Sequence, residues 1–297
     1  MSEFENNESG EYNSDEDDQG TGLMNFSIEM DEGADGDTDS TYRTQNDPRR
    51  PQQRQNIVER KGAVDVRCLA IDVIHGYLEP DSEPATLLVF EFRLDSRKRA
   101  RRIAEAHLGF TFASDNGGTA DPEVIQIAPK GRMILVPTKQ QESSTVGGDA
   151  NVGGGVLGAT LGGSVKWEKT VSRETSDATA VVGSIDLVGR NYGGSNSASW
   201  TLLENRTMGT GVPAFVRTAV LLKREDEENE FRATFKIQAQ ADMVSSFQKV
   251  FGRTPKDDPI LYDPTLKPTN KLRKYDCNHL GDVDLNELSA VAFVHDG

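Results

Sequence analysis

Basic residues are missing from the first 42 positions, histidine occurs only four times, and cysteine only twice, in a chain of 297 residues. Each shortage excludes something. Between Met1 and Tyr42 stand 14 acidic residues and no Lys or Arg. The apolar cluster there (Leu23, Met24, Phe26, Ile28 and Met30) buries too little surface to offset the entropy of ordering the segment, so a disordered acidic tail is expected. The proline-broken "RTQNDPRRPQQRQN" extends it as a linker. The predicted organisation is a tail and linker over 1–58 and a single folded domain over 59–297. Of the chain's net charge of −15, residues 1–58 carry −11, which leaves −4 for the body. A body so mildly acidic is not expected to bind nucleic acid, which calls for a basic surface.

The two cysteines, Cys68 and Cys277, have no metal-type spacing. They are read as lone thiols of a reducing compartment. No basic start leads into an apolar run, and nothing approaches the roughly 18–20 apolar residues of a spanning helix. Neither a signal peptide nor a transmembrane helix is therefore expected, and a cytoplasmic or nuclear location is. On that reading the Asn-x-Ser/Thr matches at Asn25 and Asn205 mean nothing, since glycosylation needs secretion.

What the sequence has in quantity is alternation with period two. It runs through 63–74, 85–94, 104–112, 123–128 and 132–136, and again through 178–189, 198–204, 214–224 and 231–241. In the last, Phe231, Ala233, Phe235, Ile237 and Ala239 point one way, and Arg232, Thr234, Lys236, Gln238 and Gln240 the other. About ten such runs without a βαβ rhythm predict an all-β fold, an antiparallel β-sandwich or barrel. Helical spacing is confined to 242–252 and to a short turn within 284–293. The segments "GRNYGGSNSASWTLLENRTMGTGVPAFVRTAVLLKR" and "KDDPILYDP" resemble a large family of uncharacterised proteins of filamentous fungi. That resemblance covers most of the chain beyond residue 59, implies one intracellular domain and transfers no catalytic residue.

Several motifs compete for a role. Gly153, Gly155 and Gly158 spell G-x-G-x-x-G, but the residues on their N-terminal side are polar and turn-like and those on the C-terminal side are not helical, which argues against a dinucleotide site. With period two, Leu157, Ala159, Leu161, Gly163, Val165, Trp167 and Val171 fall on one face of a strand, interrupted by Lys169. Gly158, Thr160, Gly162, Ser164, Lys166, Glu168 and Thr170 fall on the other. A polar turn at 172–177 and a return strand over 178–189 make this a glycine-rich amphipathic hairpin at 152–188. Its apolar face (Leu157, Leu161, Val165, Trp167) either completes the sandwich core or inserts into a bilayer, as in pore-forming proteins.

"RKRARR" collects Arg97, Lys98, Arg99, Arg101 and Arg102 as a candidate patch for a protein or anionic partner, against the plainer reading of a solvated loop. Ser14, followed by "DEDD", is a candidate phosphosite. "DVDLNE" begins like a calcium loop, but Glu287 stands where glycine is required and Phe293 where a bidentate Glu belongs, which excludes an EF-hand. Asp276, Cys277, His279 and Asp282 match no zinc spacing, and whether the Asp276–Asp284 stretch binds a metal is open. With no G-x-S-x-G elbow and so few histidines, no catalytic triad is visible, and neither cofactor nor enzyme activity is expected. Three functions are carried forward: an interaction module using tail and basic loop, a membrane-acting protein using the hairpin, and an enzyme whose site the sequence hides.

Overall fold

A computed structural model describes residues 43–61, 64–96, 101–115, 120–151, 164–243 and 257–293, with the backbone alone at 64, 96, 101, 139–151, 164–176 and 240–243. The alternating runs become twelve strands: β1 (Asn56–Arg60), β2 (Val64–Tyr77), β3 (Pro84–Ser96), β4 (Arg101–Ser114), β5 (Glu123–Ala128), β6 (Gly131–Asn151), β7 (Ser164–Asp186), β8 (Ser197–Leu203), β9 (Phe215–Lys223), β10 (Phe231–Met243), β11 (Ile260–Tyr262) and β12 (Ala290–Ala292). A 3₁₀ turn over Leu280–Asp282 and one short helix, α1 (Leu285–Leu288), precede β12. The strands form two antiparallel sheets. One has the order β1-β2-β3-β9-β12, with β5 alongside β9; the other has the order β11-β10-β4-β8-β7-β6. The fold is an all-β sandwich, as the alternation predicts.

The main core lies between the sheets. Phe110 of β4 stacks on Phe90 of β3 with ring centroids 4.1 Å apart, and Phe92 leans toward Trp200 and Phe235. From Ala106 to Phe112 of β4 and from Phe231 to Ala239 of β10 every second side chain enters this core and the rest face outward, which is why these sequences alternate so cleanly. The other sheet is covered twice. Ile74, Leu87, Val89, Ala219 and Leu221 point away from the sandwich interior and are buried beneath Leu280, Leu285 and Leu288. Double covering explains the unbroken apolar reading of β3 and β9, where alternation fades into "TLLVF" and "AVLL".

A buried carboxylate sews this covering down. Asp72, at a bulge of β2, accepts hydrogen bonds from the backbone N–H groups of Lys271 (2.6 Å) and Leu272 (3.1 Å), from Thr269 Oγ1 (3.0 Å) and from Tyr275 OH (2.9 Å). Gly76 is required beside it: a Cβ there would stand 1.9 Å from the Cys277 carbonyl oxygen.

Three expectations change. Residues 43–55, read as linker, pack on the domain. The Arg54 guanidinium donates to the Asp258 carbonyl (2.7 Å) and the Gln53 N–H to the Leu261 carbonyl (2.7 Å). Its two prolines and the apolar residues beside them mark "KDDPILYDP" as a loop strapped across the sandwich, yet it supplies the edge strand β11, while Asp257 pairs with the nearly buried Arg60. Most significantly, the hairpin has a different partner. Residues 172–177 are no turn: β7 runs through them without a break and pairs along its length with β6. Polar residues such as Ser172, Glu174 and Ser176 mimic turn chemistry in a stretch of β7 that pairs with β6 alone among the described strands. The helical spacing over 242–252 begins inside β10, whose last residue is Met243, and from 244 on lies outside the described residues.

Candidate functional site

Sheet pairing defines the site. β8 has seven residues and pairs β7 only from Ala180↔Leu203 to Asp186↔Ser197. β7 itself has 23 residues and β6 has 21. From Lys139↔Ser176 to Asn151↔Ser164 the two therefore run as a two-stranded ribbon of 13 cross-strand pairs. At about 3.4 Å per residue, this ribbon is about 44 Å long. The glycine stretch 152–163 joins its strands and lies outside the described residues, together with Leu157, Leu161 and the G-x-G-x-x-G match.

Cross-strand partners share a face, so the register sorts the ribbon into two files. One file pairs Lys139 with Ser176, Gln141 with Glu174, Ser143 with Ser172, Thr145 with Thr170, Gly147 with Glu168, Asp149 with Lys166 and Asn151 with Ser164. Every member is polar or glycine. The other pairs Ser144 with Val171, Val146 with Lys169, Gly148 with Trp167 and Ala150 with Val165, and gives way at Glu142 and Arg173 to an opposite-charge pair. Val165 and Trp167 thus keep the shared face the sequence assigns them, but with partners from β6 rather than from 178–189.

Where the ribbon leaves the sandwich, the β8–β9 loop grips both strands. Asn205 is fully buried and donates from Nδ2 to the Val136 carbonyl (3.0 Å) and to Thr138 Oγ1 (2.8 Å). On the β7 side, the Thr207 N–H donates to Asp177 Oδ2 (2.9 Å), and Thr179 and Thr210 share a hydroxyl hydrogen bond of 2.9 Å. Burial works to raise the Asp177 carboxyl, but N–H groups of Thr207, Ala178 and Arg206 outweigh it and hold the group below the usual carboxylate range. The loop is tied to β4 in turn. Glu204 Oε2 accepts from Arg102 Nε (2.8 Å) and from the Gly211 N–H (3.2 Å).

None of these clasp residues stands out in the sequence. "ENRT" reads as a polar turn, and Asn205 draws notice only as a glycosylation match. Its burial comes from Val136 and Thr138, nearly 70 residues earlier, which no local pattern reveals. Of the basic run, Arg101 and Arg102 open β4, with Arg102 committed to Glu204; Arg97, Lys98 and Arg99 lie outside the described residues, as do Ser14 and the acidic tail.

The remaining chemistry-bearing residues have structural partners. Asp284 caps α1 by accepting from the Asn286 N–H, and Asp276 bonds His279. No group of three or more His, Cys, Asp or Glu among the described residues is arranged to hold a metal. Cys68 and Cys277 are both free thiols, and burial pushes each upward. Burial, helped by the Arg224 cation, pushes His75 down to about 3; its ring bonds Gln53 (2.7 Å) and Thr86 (2.9 Å). A hollow of about 400 Å³ over β1 and β2 is lined by Glu59, Arg60, Lys61, Asp65, Arg67 and Arg93; Lys61 and Arg67 pair with Glu59, and Arg60 with Asp257.

No family model matches this chain, and no curated protein does. Among solved structures it is similar to the NetB toxin of Clostridium perfringens in its membrane-inserted form, at 10% identity and a TM-score of 0.27, over 60% of this chain and 78% of that one. A superposition this loose carries no functional weight. No described helix is long and apolar enough to cross a membrane, which says nothing of crossing by strands.

Proposed function

We propose that this protein acts on lipid bilayers through the β6–β7 ribbon, as one of several copies whose ribbons join into a barrel. The observation that carries the reading is the ribbon's length combined with its two-sidedness. A tilted spanning strand needs about 9–11 residues, and each strand of the ribbon offers 13 beyond the clasp. Barrel strands set lipid-facing and lumen-facing residues in alternation. The wholly polar file suits a lumen. The file holding Ala150, Val165, Trp167, Val146 and Val171 suits lipid from Ser144 to Ala150, a height of about 20 Å on the strand rise. Lys169 interrupts that file, which places it toward the headgroups, where a long side chain can carry its charge to water.

Several copies are required for a physical reason. One ribbon in hydrocarbon would leave the outer backbone groups of both strands without hydrogen-bond partners, and only closure removes those edges. The charged-surface reading has less support: of its five basic residues only Arg102 has a described side chain, and that one is paired.

Dye-loaded vesicles test the proposal, together with Trp167 emission in bilayers whose chains carry bromine quenchers. The wild-type chain is expected to release dye and to show quenching of Trp167 against a Trp167→Phe control. Val165→Asn with Trp167→Asn should release none while keeping its circular dichroism and melting temperature. Absence of both leakage and quenching in neutral and anionic vesicles alike would rule the reading out.

A further inference from the structure

The clasp has an asymmetric ion pair at its root. Glu204 is 4% exposed, whereas its partner Arg102 is 39% exposed. The arginine side chain lies against Gly209 and Gly211, both at positive φ, so closely that a Cβ added to either glycine would come within 3.5 Å of it. Glu204 immediately precedes Asn205, which holds β6, and the same short loop carries Thr207 and Thr210, which hold β7. This ion pair, with the backbone bonds from the Glu204 N–H to the Ala104 carbonyl (3.0 Å) and from the Val212 N–H to the Ile103 carbonyl (2.8 Å), ties to β4 the loop that holds both strands of the ribbon.

An anion approaching from solvent can compete for the outer face of Arg102, but nothing in solvent reaches Glu204. If Arg102 is drawn away, Glu204 is left as a buried carboxylate without this cation, a costly state that opening of the loop relieves. The forked guanidinium is matched to phosphate oxygens. An arginine of the loop itself, Arg206, is exposed and adds to the attraction.

We propose that the Arg102–Glu204 pair is a trigger: phosphate of an anionic lipid headgroup captures Arg102, Glu204 is expelled from its buried position, and the 204–211 loop releases the base of the ribbon. The exchange is ionic and makes or breaks no covalent bond. It rests on the membrane reading above and names what sets the ribbon free.

Hydrogen exchange on the full chain tests it, with phosphatidylcholine vesicles, the same vesicles containing phosphatidylglycerol, and inorganic phosphate without lipid. The amides of Asn205, Thr207, Met208 and Gly209 are expected to lose protection with phosphatidylglycerol and to keep it with phosphatidylcholine alone. Glu204→Gln still accepts from Gly211 but has no charge to expel, so its exchange should no longer depend on the anionic lipid. Should that variant not fold, Arg102→Lys keeps the charge without the fork and should require more phosphatidylglycerol for the same loss. Opening by inorganic phosphate alone supports the trigger and reassigns its source to a soluble phosphate. Unchanged protection at 205–209 in the wild type with anionic vesicles overturns the trigger, as does an undiminished lipid response in Glu204→Gln. Opening without dye release sinks the membrane reading and leaves the trigger standing; dye release without opening does the reverse.

Discussion

Truncating Asn205 to alanine removes three hydrogen bonds at once: those its amide nitrogen donates to the Val136 carbonyl and to Thr138 Oγ1, and the one its Oδ1 accepts from the Met208 N–H. A net value of about 1 kcal/mol for each bond, and more where a buried partner is orphaned, puts the local loss at about 2–4 kcal/mol. Met208 is exposed, so its N–H can turn to water, whereas Val136 and Thr138 are only half-buried and recover part of their loss. The lower half of the range is therefore the better expectation. At about 1.4 kcal/mol per factor of ten, the clasp should open some 30 to 100 times more often. Hydrogen exchange reads this directly at the amides of Gly209 and Thr210, which donate to the Asn205 carbonyl, and at Thr207. The core amides of β3 and β9 serve as the control, because local opening and global unfolding are separate events. A rise of less than about threefold at the clasp would refute the local accounting. An equal rise in β3 and β9 would refute the idea that the clasp opens by itself.

Buried groups elsewhere give three further expected outcomes. His75 stays neutral in the fold down to about 3, while in the unfolded chain it takes a proton near its ordinary value of 6.5. Its share of stability is thus fully present above pH 6.5 and is lost as the pH falls, at about 1.4 kcal/mol per unit; urea titrations at pH 7.5 and pH 5 should differ by about 2 kcal/mol more in the wild type than in His75→Gln. Asp72→Asn turns an acceptor of four hydrogen bonds into a group with its own N–H donors facing Lys271 and Leu272, so limited proteolysis should cut within 269–288 while the Phe90–Phe110 core persists. Gly183→Ala would set a Cβ 2.0 Å from the Pro129 carbonyl oxygen and 3.1 Å from Trp200 Nε1, so it should cost about 1–3 kcal/mol by overpacking and shift the emission of Trp200, whose indole N–H donates to that carbonyl.

The architecture was legible because burial leaves a periodic mark. Phe231 to Ala239 alternate since β10 has one wet face, and that is visible without knowing any neighbour. Pairing leaves no such mark. The alternation at 164–171 indicates which residues share a face but not which strand lies alongside, so Val165 and Trp167 could be placed on a face while their partners, Ala150 and Gly148, could not. Residues 172–177, at the base of the ribbon, read as a turn because turns and the polar face of a strand draw on the same polar residue types. Arg54 and Gln53 read as linker because the carbonyls that hold them belong to residues more than 200 positions away. The clasp was hidden for the same reason, since Asn205 is polar by sequence and buried by contacts distant in the chain.

The order of strands also sets a timetable for acquiring this structure. β1, β2 and β3 form one meander of sequence neighbours and β6, β7 and β8 another, so each can zip up after closing a short loop. The ladders that turn these meanders into a sandwich join β3 to β9 and β4 to β10, strands well over a hundred residues apart, and closing such spans is slow. The β6–β7 ribbon is accordingly expected to zip up early, well before the body that will hold it is complete.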